Sequence, residues 1–316
     1  MDKNTYCACF HFSLDEQGAF VNLFDGQNQY DVAKAYSLAK YGSYKDLTFF
    51  AKEIYKLFKT EIENQSGALW DFLFPLRGTK DYILLLTPGY RNIKASGNIM
   101  FDLALPYVNA FLSSNNFPII ADFKLLRPMD PCRNYAMLSC EEREKMGDKT
   151  DHILPSKYFF KNGRFHIIYG DDIYITGSSS EKARKVCLKN GAQSFISIFA
   201  VMMDQRIARK NPAIEERLNQ TYITEKLDKS AIELYDQPKM LPVLRSLELL
   251  LAQKNVLNLE EFLDKVPLHN VFLIYSMFLN NENINNLLFK DGLCIVQNYL
   301  KKHNMLDING LPLWEK

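Results

Sequence analysis

Between Phe165 and Val186 the chain reads FHIIYGDDIYITGSSSEKARKV. An apolar run passes into two adjacent carboxylates, Asp171 and Asp172, then into the small-residue loop Thr176-Gly177-Ser178-Ser179-Ser180, and then directly into a helical pattern. A strand, a loop and a helix in direct succession form the repeating unit of an α/β fold, and the neighbouring segments continue the alternation. DYILLL, Asp81 to Leu86, is a short apolar run of the kind that strands buried on both faces carry. Ser96 to Leu112 is apolar at helical spacing, Phe117 to Phe123 and Phe165 to Tyr169 read as strands, Glu181 to Asn190 as helix, and Phe195 to Met202 as apolar again. Such alternation implies right-handed crossovers and a mainly parallel sheet flanked by helices, with ligands beyond the carboxyl ends of the strands.

The flanks differ from this core. CACFHF near the start alternates as a strand would, and Asp31 to Glu63 places apolar residues at turn-like spacing, which predicts a helical cap. From about Asn211 onward the strand signal vanishes, and LPVLRSLELLLAQ, LEEFLDKV, VFLIYSMFL and INNLLFKDGLCIVQNYLKK all carry a helical period. The expected organisation is an N-terminal strand and helical cap over residues 1–75, an α/β core over 76–210, and an appended helical subdomain over 211–316.

Composition narrows the function. With 38 Lys+Arg against 37 Asp+Glu the formal net charge is +1, which removes the bulk attraction a dedicated nucleic-acid or anionic-membrane binder uses. No segment approaches the roughly 20 apolar residues of a membrane span, and the start has no signal-peptide pattern, so a cytoplasmic location is expected. The six cysteines are scattered, as reduced thiols would be. Cys7-x-Cys9 with His11 is the nearest approach to a metal pair, but its spacing is too tight for a zinc site and its alternation suits a strand. The isolated histidines, including His166 in an apolar strand, are read as packing residues.

The chemistry is concentrated at Asp171 to Ser180. A glycine followed by serines lets successive amide hydrogens converge, and the helix that follows adds its positive end, which together suit a phosphate dianion. Hydrogen bonds to a charged group contribute roughly 1.5–3 kcal/mol each, so three or four donors can anchor a monophosphate without lysine. Like charges exclude Asp171 and Asp172 from that phosphate. They are suited instead to vicinal hydroxyls, directly or through a divalent cation, and the combination points to a sugar phosphate. The structural alternative is a strand end followed by a serine-rich helix cap.

Asp171-Asp172-Ile173-Tyr174-Ile175-Thr176-Gly177-Ser178-Ser179 resembles the signature by which type I phosphoribosyltransferases bind 5-phosphoribosyl 1-pyrophosphate (PRPP). More narrowly, NYAMLSCEEREKMGDKTDHIL ahead of that signature, with a long helical tail behind it, resembles the phosphoribosyltransferases of tellurium-resistance-type stress gene clusters. The likeness spans about residues 87–202 and leaves the first 75 uncovered. Gly170 stands where an aliphatic residue is usual, and Ser179 where threonine is commoner.

The resemblance implies an enzyme of nucleotide metabolism that uses Mg2+. Asp171 and Asp172 would be the catalytic pair on the ribose, and Thr176, Gly177, Ser178, Ser179 and Ser180 would wrap the 5-phosphate. The family's pyrophosphate loop, which often carries a strained peptide, would be Pro88, Gly89, Tyr90 and Arg91. Between Phe123 and the signature the family carries a hood over the substrate, to which Lys124, Arg127, Tyr135 and Arg143 are assigned; Ser139 to Glu142 also forms a capping box, which would leave Arg143 on a solvated helix face. PRPP and a small-molecule acceptor are the expected partners, with no nucleic acid, no membrane, and a homodimer left open. Two rivals remain: a sensor that keeps the PRPP pocket without chemistry, and a phosphatase using Asp171 as nucleophile. The phosphatase is the weaker, because that chemistry usually wants its aspartates one residue apart.

Overall fold

The computed structural model describes residues 6–90, 92–125, 160, 163–280 and 287–313. Its centre is a six-stranded sheet made of β1 (Tyr6–Leu14), β2 (Phe20–Asn22), β3 (Tyr82–Leu86), β4 (Ile120–Phe123), β5 (Phe165–Tyr174) and β6 (Ser194–Met203), in the order β2-β1-β6-β5-β3-β4. Every neighbouring pair is parallel except the edge pair β1 and β2. The expected α/β architecture is therefore present. The central strands are apolar along nearly their whole length because both faces are covered: Ile83, Leu85, Ile167, Ile168, Ile196 and Ile198 are almost wholly buried.

Successive strand residues project to opposite faces, and β5 shows what covers each. Ile167 and Tyr169 share a core cluster with Ala183 and Cys187 of helix α5 (Ser178–Lys189). On the other face, His166 meets Phe72 of α3 (Ala68–Leu73) edge to face at 6.3 Å. Also on that face, the ring of Phe101 from α4 (Ser96–Ser114) lies against Gly170. A Cβ at Gly170 would come 2.7 Å from three ring atoms of Phe101, so that ring occupies the space an aliphatic side chain would need.

Two compact units cut the chain differently from the expected three segments. The first comprises residues 1–32, 48–91 and 97–217, and the second residues 33–47, 92–96 and 218–316. Residue 75 is not a boundary, because the opening strand completes the sheet: β1 pairs with the open side of β6 from Tyr6↔Ser197 to Phe12↔Met203. Backbone groups along β6 need partners when buried, and β1 supplies them. The predicted cap is two helices, α1 (Tyr30–Lys40) and α2 (Tyr44–Glu63), separated at Gly42. That glycine has φ +93°, and a Cβ there would lie 2.3 Å from the carbonyl oxygen of Leu241.

The second unit carries the helical tail: α8 (Lys229–Tyr235), α9 (Leu244–Leu251), α10 (Val256–Leu263), α11 (Leu268–Leu279) and α12 (Lys290–Lys302), the short α6 (Gln205–Ala208) and α7 (Ile214–Asn219) preceding them in the chain. Helices of two or three turns cannot bury an apolar stripe alone, and this unit recruits Leu38 of α1 and Tyr41 into one cluster with Leu234, Leu250, Ile274 and Leu300. Among the described residues no helix is long and apolar enough to cross a membrane.

Candidate functional site

After β3 the chain runs through α4 to β4 on one side, whereas after β5 it runs through α5 to β6 on the other. Adjacent parallel strands whose connections leave in opposite directions open a crevice at their carboxyl ends, where ligands of such sheets bind. Of the predicted loops, Pro88, Gly89 and Tyr90 follow β3 there and Thr176 to Ser180 follow β5.

The acidic pair is placed differently from expectation. β5 does not end at Tyr169 but runs to Tyr174, so Asp171 and Asp172 lie inside it. The reason is unequal neighbours: the ladder to β3 stops at Leu86↔Tyr169, while the ladder to β6 continues through Asp171↔Phe199 to Tyr174↔Met202. The acids therefore emerge beyond the end of β3 while still held by β6. As consecutive strand residues they leave the backbone in opposite directions. Asp172 is buried at 5% exposure and Asp171 is half-buried. Oδ1 of Asp171 accepts the N–H of Asp172 at 2.8 Å, and its Oδ2 accepts the Tyr169 hydroxyl at 3.5 Å. The start of α4 presses on the pair: a Cβ on Gly97 would lie 2.9 Å from the Asp172 nitrogen and 3.1 Å from Asp171 Oδ1.

The bend after β5 is built around Gly177, which caps α5 with φ +73°. Its Cα faces the Tyr174 ring so closely that a Cβ would stand 2.5 Å from the phenol oxygen, so glycine is required by both dihedral and space. Ser180 Oγ donates to the Gly177 carbonyl at 3.0 Å, and the hydroxyls of Thr176 and Ser178 pair at 3.1 Å. Among the described residues no acceptor receives the backbone N–H of Gly177, Ser178, Ser179 or Ser180. Four donors at the positive end of a 12-residue helix thus have no acceptor among the described residues, as the start of a helix leaves them.

Charge near the bend is balanced locally. Glu181, in the first turn of α5, holds Arg184 through two bonds of 2.8 and 3.1 Å. The Arg184 bonds keep the Glu181 carboxyl below its ordinary range against a smaller opposing effect of burial. Burial pushes the Tyr174 phenol up, and the ring stacks on Tyr6 at 5.1 Å. Tyr6, Tyr174, Gly177, Ser180, Glu181 and Arg184 help line a small cavity, partly open to solvent, of about 20 Å³, room for a water.

Among its described residues the loop after β3 has neither a cis peptide bond nor a positive φ at Gly89. Tyr90 N–H donates to the Leu125 carbonyl at 3.3 Å, and the Lys124 ammonium sits 4.4 Å from the centre of the Tyr90 ring. Lys124 and Tyr90 thus meet at the ends of β4 and β3. Arg91, Arg127, Tyr135 and Arg143 lie outside the described residues.

Three site residues escaped the sequence reading: Gly97, Asn98 and Tyr169. Only the Ser-Gly-Asn start of a helical pattern hinted at the first two. Tyr169 gave no signal, because its face is set by strand register. For a divalent cation, no group of three or more His, Cys, Asp or Glu among the described residues forms a metal cage. Asp171 and Asp172 leave opposite faces of β5, so a Mg2+ ion there would take an oxygen from one carboxylate and the rest from phosphate and water, the usual habit of that ion.

No family model matches the chain, and no curated protein matches it. Among solved structures it is similar to a point variant of hypoxanthine phosphoribosyltransferase from Trypanosoma cruzi in a ternary substrates complex. That similarity is at 10% identity and a TM-score of 0.25, covering 55% of this chain and 68% of that one. A likeness of that size carries no argument, and the α/β fold class rests on the strand order and pairing.

Proposed function

We propose that the chain is a phosphoribosyltransferase: it binds PRPP at the crevice between β3 and β5 and transfers the 5-phosphoribosyl group to a small nucleophile, a nucleobase or related molecule, with release of pyrophosphate. One observation carries this reading: an acid pair, Asp172 buried and Asp171 half-buried, followed within one loop by four main-chain N–H groups that have no acceptor among the described residues at the positive end of α5. The N–H groups of Gly177 to Ser180 take the 5-phosphate, and the Asp171 and Asp172 segment, which runs on beyond the end of β3, takes the ribose hydroxyls. The Pro88 loop with Lys124 takes the pyrophosphate. Mg2+ bound with the substrate would neutralise part of the pyrophosphate charge, and Asp171 or Asp172 would lend it a carboxylate oxygen.

The bond from the anomeric carbon to the pyrophosphate oxygen breaks as the acceptor approaches, and the ribosyl group carries positive charge in the transition state. Fixing both phosphate ends of the sugar holds the anomeric carbon in line, so catalysis is positioning together with carboxylate charge near the developing cation. On this reading the enzyme acts in the cytoplasm, among the stress-cluster phosphoribosyltransferases that its sequence resembles.

Calorimetric titration with Mg-PRPP, followed by a pyrophosphate-release assay over a panel of purine, pyrimidine and other nucleophilic acceptors, tests the proposal. Replacing both Asp171 and Asp172 by Asn is expected to abolish turnover while the protein stays folded. Unchanged release in the double variant removes the assignment, and binding without release from any acceptor supports the sensor.

A further inference from the structure

We propose that Asn98 is a positioning residue for the pyrophosphate half of the site, a role that rests on the PRPP reading above. Asn98 lies in the first turn of α4 and is 2% exposed. Its side-chain amide donates to Thr87 Oγ1 at 2.7 Å and to the Pro88 carbonyl at 2.9 Å. An NH2 group has two hydrogens, so both are committed to the two residues by which the chain leaves β3.

The second of these bonds sets the direction of a donor. In a trans peptide the C=O and the following N–H point opposite ways. With the Pro88 carbonyl turned in toward Asn98, the N–H of Gly89 is turned away from it, and among the described residues no acceptor receives that N–H. Asn98 therefore aims the Gly89 N–H outward, where a pyrophosphate oxygen would be met.

The same helical turn touches the other half of the crevice. Gly97 closes against Asp171 Oδ1 and the Asp172 nitrogen, at a distance that leaves no space for a Cβ. The start of α4 thus gauges the separation between the ribose-binding acids and the loop after β3, with Gly97 on one side and Asn98 on the other. The Thr176 to Ser180 bend is not part of this linkage, so the two ends of the substrate should respond separately to Asn98.

Two ligands divide the site: ribose 5-phosphate reaches the bend and the acids, whereas Mg-PRPP also reaches the Pro88 loop. Both are titrated calorimetrically into wild type, Asn98→Asp and Asn98→Ala, with urea unfolding as the check on folding. Asn98→Asp sets a carboxylate against the Pro88 carbonyl, which cannot donate, and is expected to weaken PRPP by about tenfold or more while ribose 5-phosphate stays within about twofold. Asn98→Ala removes both bonds without adding charge and covers the case in which the Asp variant does not fold; about a fivefold loss is expected for PRPP alone. If wild type binds neither ligand, the PRPP reading fails. If it binds both but the variants lose both alike, or neither, the role of Asn98 fails while that reading stands. Wild type holding ribose 5-phosphate as tightly as PRPP also overturns the role, since no pyrophosphate half would then exist to position.

Discussion

Replacing Gly177 by alanine tests the bend most directly. At φ +73° an alanine costs about 1–2 kcal/mol of backbone energy. Its Cβ would also stand 2.5 Å from the Tyr174 oxygen and 2.7 Å from the carbon that bears it, so the ring has to move. That ring is stacked on Tyr6 at 5.1 Å and meets Phe199 edge on at 5.0 Å. Each such pair is worth about 0.5–1.5 kcal/mol, of which a displaced ring loses part. The total is about 2–4 kcal/mol, small enough against the 5–15 kcal/mol of an ordinary domain for the chain to stay folded. Urea unfolding followed by circular dichroism measures the stability, and ribose 5-phosphate titration on the same samples is expected to lose at least about tenfold in affinity as the N–H groups lose their convergence. Trimming Tyr174 to alanine removes the obstacle, so Gly177→Ala and Tyr174→Ala should couple favourably by about 1–2 kcal/mol in a double-mutant cycle. A stability change under about 0.5 kcal/mol for Gly177→Ala, or no coupling to Tyr174, would refute this account of the bend.

Two further outcomes follow from the sheet. Restoring an aliphatic residue with Gly170→Val should destabilise the protein by about 1–3 kcal/mol, because the Phe101 ring already fills the space; Phe101→Leu in the same chain should recover part of the loss, read from urea midpoints. At the other end of β5, His166 bonds Ser194 Oγ at 2.8 Å and Asp81 Oδ2 at 3.2 Å, and Arg164 reaches the same Asp81 oxygen at 3.2 Å. Burial lowers the His166 pKa from 6.5 more than Asp81 raises it. The unfolded chain therefore takes up the proton first as pH falls. Stability tied to the neutral ring is complete above about pH 6.5 and is lost as the pH drops through the lowered folded value. A His166→Gln variant should show a flatter stability profile between pH 7 and 5, and an unchanged profile would show that this ring does not titrate on unfolding.

Much of the core was legible because its signals are local. YILLL, the apolar run before Asp171, and SFISIFAVMM announce strands buried on both faces, and Gly177 before three serines announces a helix start with open amides. Strand ends were less legible: a strand stops where its neighbours stop, and β5 outlasts β3 only because β6 continues beside it. The opening strand looked like part of a separate cap because nothing in CACFHF says that its partner lies nearly two hundred residues away. Gly170 looked like a weakness in the motif until Phe101, about seventy residues earlier, was found in its place.

The sequence by itself determined that this chain alternates strands and helices around a short acidic and hydroxyl-rich segment, since periodicity and turn chemistry act over a few residues. Only the tertiary structure decided that the segment shares a crevice with the loop after β3, that the two acids leave opposite faces of one strand, and that Gly97 and Asn98 brace both sides. Those relations arise from hydrogen-bond register and side-chain packing between residues far apart in the chain, and no local pattern carries them.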